Sequence, residues 1–140
     1  VIYLENGRIA EEGVTEKVFS HSRIDENVFT GMSRIVDGIS HVDVGGGVEV
    51  MATFSRSGRV VIHVSPEDII LSKAWVETSA RNEFKGRVTF VEELGPVVKL
   101  KVEAGRVFTV QITKKSFNEM GLNLGSELYL SFKASSVMLI

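Results

Sequence analysis

The chain has 140 residues, 44% hydrophobic and 24% charged, which suits one ordinary folded domain or two small ones and excludes a disordered chain. Its formal charge of -2 gives no global positive field for nucleic acid, so an anion binder of this charge must gather its cations locally. The absence of cysteine removes disulfides, thiolate nucleophiles and Cys-based zinc sites together.

No apolar run approaches the roughly 20 residues that span a bilayer, and no signal-peptide pattern opens the chain. It starts directly on a strand-like run, Val1 to Leu4, and reads as a fragment of a longer protein; the lack of cysteine suits the cytoplasm. Asn6-Gly7 between two short apolar runs signals a hairpin, and Thr15 can cap a short helix over Glu16 to Phe19.

From about Asn27 the texture changes to short β-type runs punctuated by glycine. Val42–Val44, Val48–Phe54 and Arg59–Val64 have strand length and strand patterning, with turns at Gly45-Gly46-Gly47 and Ser57-Gly58. Pro66 holds Ser65 extended and ends that ladder. Lys85–Glu92, Pro96–Glu103, Val107–Ile112 and Glu127–Lys133 continue the all-β character. Thr113 to Gly121 differs: a capping residue, Phe117 and Met120 three apart, and a closing glycine predict a helix of one to two turns.

The chain also repeats. Asn27-Val-Phe-Thr-Gly31 recurs as Asn82-Glu-Phe-Lys-Gly86, and Val64 to Leu71 aligns loosely with Lys133 to Ile140. The second copy is longer, and nearly all of the excess lies in the helix and its flanks. Two related five-strand units follow, only the second with a helix.

Three clusters supply donors with few acceptors, the need of a tetrahedral oxyanion. Thr78-Ser79-Ala80-Arg81 places two hydroxyls and a guanidinium ahead of a strand. Thr113-Lys-Lys-Ser116 opens a helix, where free amides attract anions. Lys133-Ala134-Ser135-Ser136 adds an ammonium and small residues that let a ligand approach the backbone. Each also has a purely structural reading: Arg81 as a surface residue, Thr113 as a cap, Lys114, Lys115 and Lys133 as solvated edge charges.

Enzyme readings find less support. His21, His41 and His63 are scattered with no carboxylate at ligand spacing. Glu92-Glu93 and Glu67-Asp68 are sequence neighbours that point to opposite faces of a strand. Gly45-Gly46-Gly47 lacks the Lys-Ser/Thr of a phosphate loop. No catalytic residue and no metal ligand is assigned.

Ser79-Ala-Arg-Asn-x-x-x-Gly86, Ile112-Thr-x-x-Ser116, Leu122-x-x-Gly125 and Phe132-Lys-Ala-Ser135 together resemble the signature of the Mop, or molybdate-binding TOBE, domain. Upstream, Leu4-Glu-Asn-Gly7-Arg-Ile-x-Glu-Glu-Gly13 with Val18-Phe19 resembles the end of an ABC transporter ATPase domain. Pro66-Glu-Asp-Ile-Ile70 resembles a segment common in the TOBE regions of such ATPases. The resemblance points to the regulatory region of a molybdate/tungstate importer ATPase. It implies OB-like β-barrels, with residues 1–22 as the ATPase tail, 23–76 as a first half and 77–140 as a second half carrying the site.

It further implies a cytoplasmic homodimer, peripheral to the plasma membrane through the permease its ATPase domain serves, without nucleic acid, membrane insertion or cofactor. The ligand, molybdate or tungstate, would lie between two copies and feed back on transport. Ser79, Ala80 and Arg81 of one copy would face Thr113, Ser116, Lys133, Ala134 and Ser135 of the other. Ser65 stands where TOBE regions usually carry arginine, which places the site in the second half. The alternative is a structural TOBE dimerisation region of a sugar-type importer ATPase, with no anion site.

Overall fold

A computed structural model describes residues 26–75 and 81–140. The predicted Asn6-Gly7 hairpin, the Thr15 helix, Ser79 and Ala80 lie outside those residues. The described chain is mostly strand, arranged as two curled half-barrels of OB-like form with one short helix.

The strands of the first half are β1 (Val28–Val36), β2 (Ile39–Asp43), β3 (Glu49–Ala52), β4 (Gly58–His63) and β5 (Ile70–Ser72). Those of the second are β6 (Arg81–Leu94), β7 (Val97–Glu103), β8 (Val107–Thr113), β9 (Glu127–Lys133) and β10 (Met138–Leu139). Alternation builds them: in β9, Leu128, Leu130 and Phe132 point into the core while Glu127, Tyr129 and Lys133 stand on the opposite face. The β1–β2 connection is Asp37-Gly38, both at positive φ (53° and 79°), a two-residue hairpin turn that the strand reading above did not single out.

The sheets do not follow the halves. One has the order β10-β4-β1-β2-β3 and the other β5-β9-β6-β7-β8, all neighbours antiparallel. Each half therefore lends its closing strand to the other. Short 3-10 turns, Pro66–Asp68 before β5 and Ala134–Ser136 before β10, carry the chain across. These turns fix the register of the repeat: Ile70 pairs with Ser131 as Met138 pairs with His63. Lys133 thus corresponds to Ser65, one residue on from the Val64 that end-to-end alignment suggests.

The repeated Asn-x-Phe-x-Gly occupies equivalent positions. Asn27 donates to the carbonyls of Val64 (3.1 Å) and Thr109 (2.7 Å) and accepts from the Thr109 amide (2.7 Å). Asn82 accepts from the Met51 amide (2.7 Å) and donates to its carbonyl (3.0 Å). Met51 and Thr109 lie on β3 and β8, the edge strand of each sheet, so each asparagine of one half satisfies an edge of the other. Phe29 and Phe84 join Phe108 and Phe132 in one ring cluster, with centroids 5.2–6.1 Å apart. Core residues of both sheets form one contiguous cluster. Gly31 and Gly86 complete the motif where a Cβ would sit 2.5 Å from the Asp43 carbonyl and 2.6 Å from Val102.

Between the halves the β2–β3 and β7–β8 turns touch. A Cβ on Gly46 would lie 2.1 Å from the Gly105 carbonyl, and one on Gly105 2.5 Å from the Gly46 carbonyl; both glycines have positive φ. Two backbones meet there with no room for side chains. No helix of the described residues is long and apolar enough to cross a membrane.

Candidate functional site

The helix, α1 (Lys114–Met120), forms where the sequence places it. Thr113 is its N-cap, its hydroxyl accepting from the Ser116 amide at 3.1 Å. Gly121 closes it in the left-handed region, with φ 62°. Phe117 and Met120 pack against the core from one side. The Thr113 hydroxyl donates in turn to the Ser116 oxygen at 3.1 Å. Ser116 therefore keeps its own hydroxyl proton for a further acceptor. Of the neighbouring lysines, Lys114 pairs with Glu93, while Lys115 is exposed and makes no ion pair among the described residues.

The other donors gather at the far end of the same sheet. Arg81 is the first residue of β6 and Lys133 the last of β9, and the ladder sets them directly opposite. The register thus puts an arginine and a lysine at one cross-strand position of the ladder. Lys133 is exposed and makes no ion pair among the described residues. The chain then enters the Ala134–Ser136 turn, with Ala134 buried and Ser135 exposed. The first amides of such a turn have no acceptor within it.

The predicted residues thus form two sets. Arg81, Lys133, Ala134 and Ser135 come together where β6 begins. Thr113 and Ser116 stand where β6 ends, since Thr113 pairs with Val97 and Val97 with Leu94. Ser79 and Ala80 fall outside the described residues. A 14-residue strand separates the two sets, so one chain cannot close both on an ion a few ångströms across. The repeat shows a contrast that sequence reasoning missed: in the first half the positions of Arg81 and Lys133 hold Glu26 and Ser65. The signal was available in the register, counted back from the asparagines.

Two OB-like half-barrels with these motifs define a class. The family model described as "TOBE domain" matches residues 78–139. The Haemophilus influenzae protein named "Probable molybdenum-pterin-binding protein" is 32% identical over 65 residues, 45% of this chain and 94% of that protein. The chain belongs to the TOBE/Mop family.

Within it, the chain is similar to the molybdate/tungstate import ATP-binding protein WtpC of Pyrococcus abyssi, 40% identical over 136 residues. That match covers 94% of this chain but 39% of the relative, in its C-terminal part. The chain spans well under half the length of such relatives. Among solved structures, the cytoplasmic molybdate-binding protein ModG, with molybdate bound, matches with a TM-score of 0.67 and 26% identity. The match covers 81% of this chain and 94% of that one.

Proposed function

We propose that this chain is an oxyanion-sensing regulatory module of an ABC importer ATPase, and that two copies bind molybdate or tungstate where they meet. The observation that carries the reading is the opposition of Arg81 and Lys133 across β6 and β9. A lysine and an arginine at one cross-strand position supply two charged donors to a dianion bound there, and such donors form the stronger hydrogen bonds.

The donor set fits such an anion. Lys133 supplies an ammonium, Arg81 a guanidinium, the Ala134–Ser136 turn backbone amides, and Ser116 an unspent hydroxyl. Charge-assisted hydrogen bonds of this kind contribute about 1.5–3 kcal/mol each. Because Thr113 and Ser116 stand at the other end of β6, they would complete the site of a second copy, which favours a homodimer with two shared sites. Ser79 and Ala80 would flank Arg81 in the same site.

The ATPase domain of the parent protein, and through it the permease, would be the partners on which binding feeds back, at the cytoplasmic face of the membrane. No chemistry on a substrate is assigned to these residues. The test is calorimetry of the purified chain with molybdate, tungstate and sulfate. Micromolar binding of the first two supports the reading; no heat with either at that concentration ends it and leaves a structural dimerisation region.

A further inference from the structure

The first half contains a counterpart of the Arg81 position, and its charge is reversed. Val64 donates to the Asn27 carbonyl at 3.3 Å, extending the β1–β4 ladder by one pair beyond Val28 and His63. Glu26 then stands opposite Ser65 as Arg81 stands opposite Lys133. The groove beside Glu26, between the start of β1 and the β7–β8 hairpin, is lined by Asn27, Phe29, Lys101, Arg106 and Thr109.

Two cations of the second half, Lys101 and Arg106, line this groove, and a third, Lys99, reaches its edge through Glu26. Lys99 meets the Glu26 carboxylate at 2.8 Å, with both side chains about three-quarters buried (26% and 24% exposed). The Lys101 ammonium lies 5.3 Å from the Phe90 ring centroid, and the Arg106 guanidinium 5.0 Å from that of Phe29. Arg106 also donates to the Val44 carbonyl, through one of its nitrogens. Glu103 shares the strand face of Lys99 and Lys101 but is exposed at its end. Glu92 stands opposite Lys99 in the β6–β7 ladder, yet it is the Glu26 carboxylate that closes on the Lys99 ammonium.

We infer that this groove is a latent oxyanion site that the chain fills with its own carboxylate, Glu26 standing in for the anion and tying the two halves together through Lys99. The class of ligand is taken from the proposed function, but the geometry stands without it. Vacating the groove should open it to a small oxyanion such as phosphate or tungstate.

The test is calorimetry with orthophosphate and tungstate on Glu26→Gln, which keeps the side-chain volume and removes the charge. It is carried out in a Lys133→Ala background, so that only the groove is read. Glu26→Gln should bind phosphate at least tenfold more tightly than the Glu26 parent, at one ion per chain, and adding Lys99→Ala should abolish the gain. Glu26→Asp, which keeps a carboxylate, should show none.

A Glu26→Gln protein that remains folded by circular dichroism yet binds phosphate no better overturns the inference. So does a gain that survives Lys99→Ala. If Glu26→Gln unfolds, the milder Lys99→Gln variant of the Glu26 parent decides: an unchanged thermal midpoint would show that the ion pair does not close the groove. None of these outcomes depends on whether the unmodified chain binds molybdate, so the two readings fail separately.

Discussion

The carboxamide of Asn82 meets the backbone of Met51 as a neighbouring strand would, accepting from its amide at 2.7 Å and donating to its carbonyl at 3.0 Å. Asn27 does the same at Thr109, with a further bond to Val64. Only a carboxamide offers a donor and an acceptor at this spacing, so the two halves are fastened by a chemistry that neither aspartate nor leucine reproduces. Replacing Asn27 by alanine leaves buried backbone groups unpaired and should cost about 3 kcal/mol. Asn82→Ala, with one bond fewer, should cost about 2 kcal/mol. Urea unfolding followed by fluorescence measures both, and a loss below 1 kcal/mol in either would deny the clamp.

The meeting of Gly46 and Gly105 makes a sharper steric prediction. Alanine at Gly46 must displace the Gly105 carbonyl as well as adopt a positive φ. Alanine at Gly47 has the positive φ alone, with open space around it. The expected losses are roughly 3 kcal/mol or more for Gly46→Ala and about 1 kcal/mol for Gly47→Ala. Equal melting temperatures for the two variants would show that the turns do not touch in solution.

At the helix start, capping and ligand binding can be separated. Thr113→Ala removes the acceptor for the Ser116 amide and should cost about 1 kcal/mol of stability along with affinity for molybdate. Ser116→Ala keeps the amide bond to Thr113 and should leave stability within about 0.5 kcal/mol while weakening molybdate binding at least threefold. Thermal denaturation beside calorimetry reads both, and a Ser116→Ala protein with full affinity would remove Ser116 from the site.

Two lysines serve as probe and control. Lys133 makes no ion pair among the described residues, whereas Lys114 is held by Glu93. Lys133→Ala and Arg81→Ala should each weaken molybdate binding at least tenfold, since each removes a charged donor. Lys114→Ala should change it less than twofold. The reverse order of effects would place the anion at the helix rather than at the start of β6.

Some of this was legible in the sequence and some was not, and the division is physical. The helix was readable because its signals are local: Thr113, Phe117 with Met120, and Gly121 act within two turns. The repeat was readable from Asn27, Phe29 and Gly31 against Asn82, Phe84 and Gly86. The exchange of β5 and β10 was not, because alternation fixes which face a strand buries but not which neighbour it pairs with. The Asp37-Gly38 turn carried a recognisable signal that passed unused. Donor chemistry picked out the candidate residues, but only the ladder shows that Arg81 opposes Lys133 and that Thr113 lies at the other end.

The exchange also predicts where damage at the C-terminus is felt. Removing residues 137–140 deletes β10, which pairs with Ile62 and His63 in the sheet of the first half. Amide exchange should then rise along β4, including Ile62, while the β6–β7 ladder of the second half keeps its protection. Loss of protection confined to the second half would contradict the topology.

The Ala134–Ser136 turn is both a wall of the proposed site and the bridge by which the backbone leaves one sheet for the other. Lys133 ends a strand of the second sheet, and Met138, five residues later, already belongs to the first. A load applied at that turn therefore has no route that bypasses either barrel: tightening it draws on both ladders at once. The crossing makes the molecule mechanically a single body at the place where its anion would be felt.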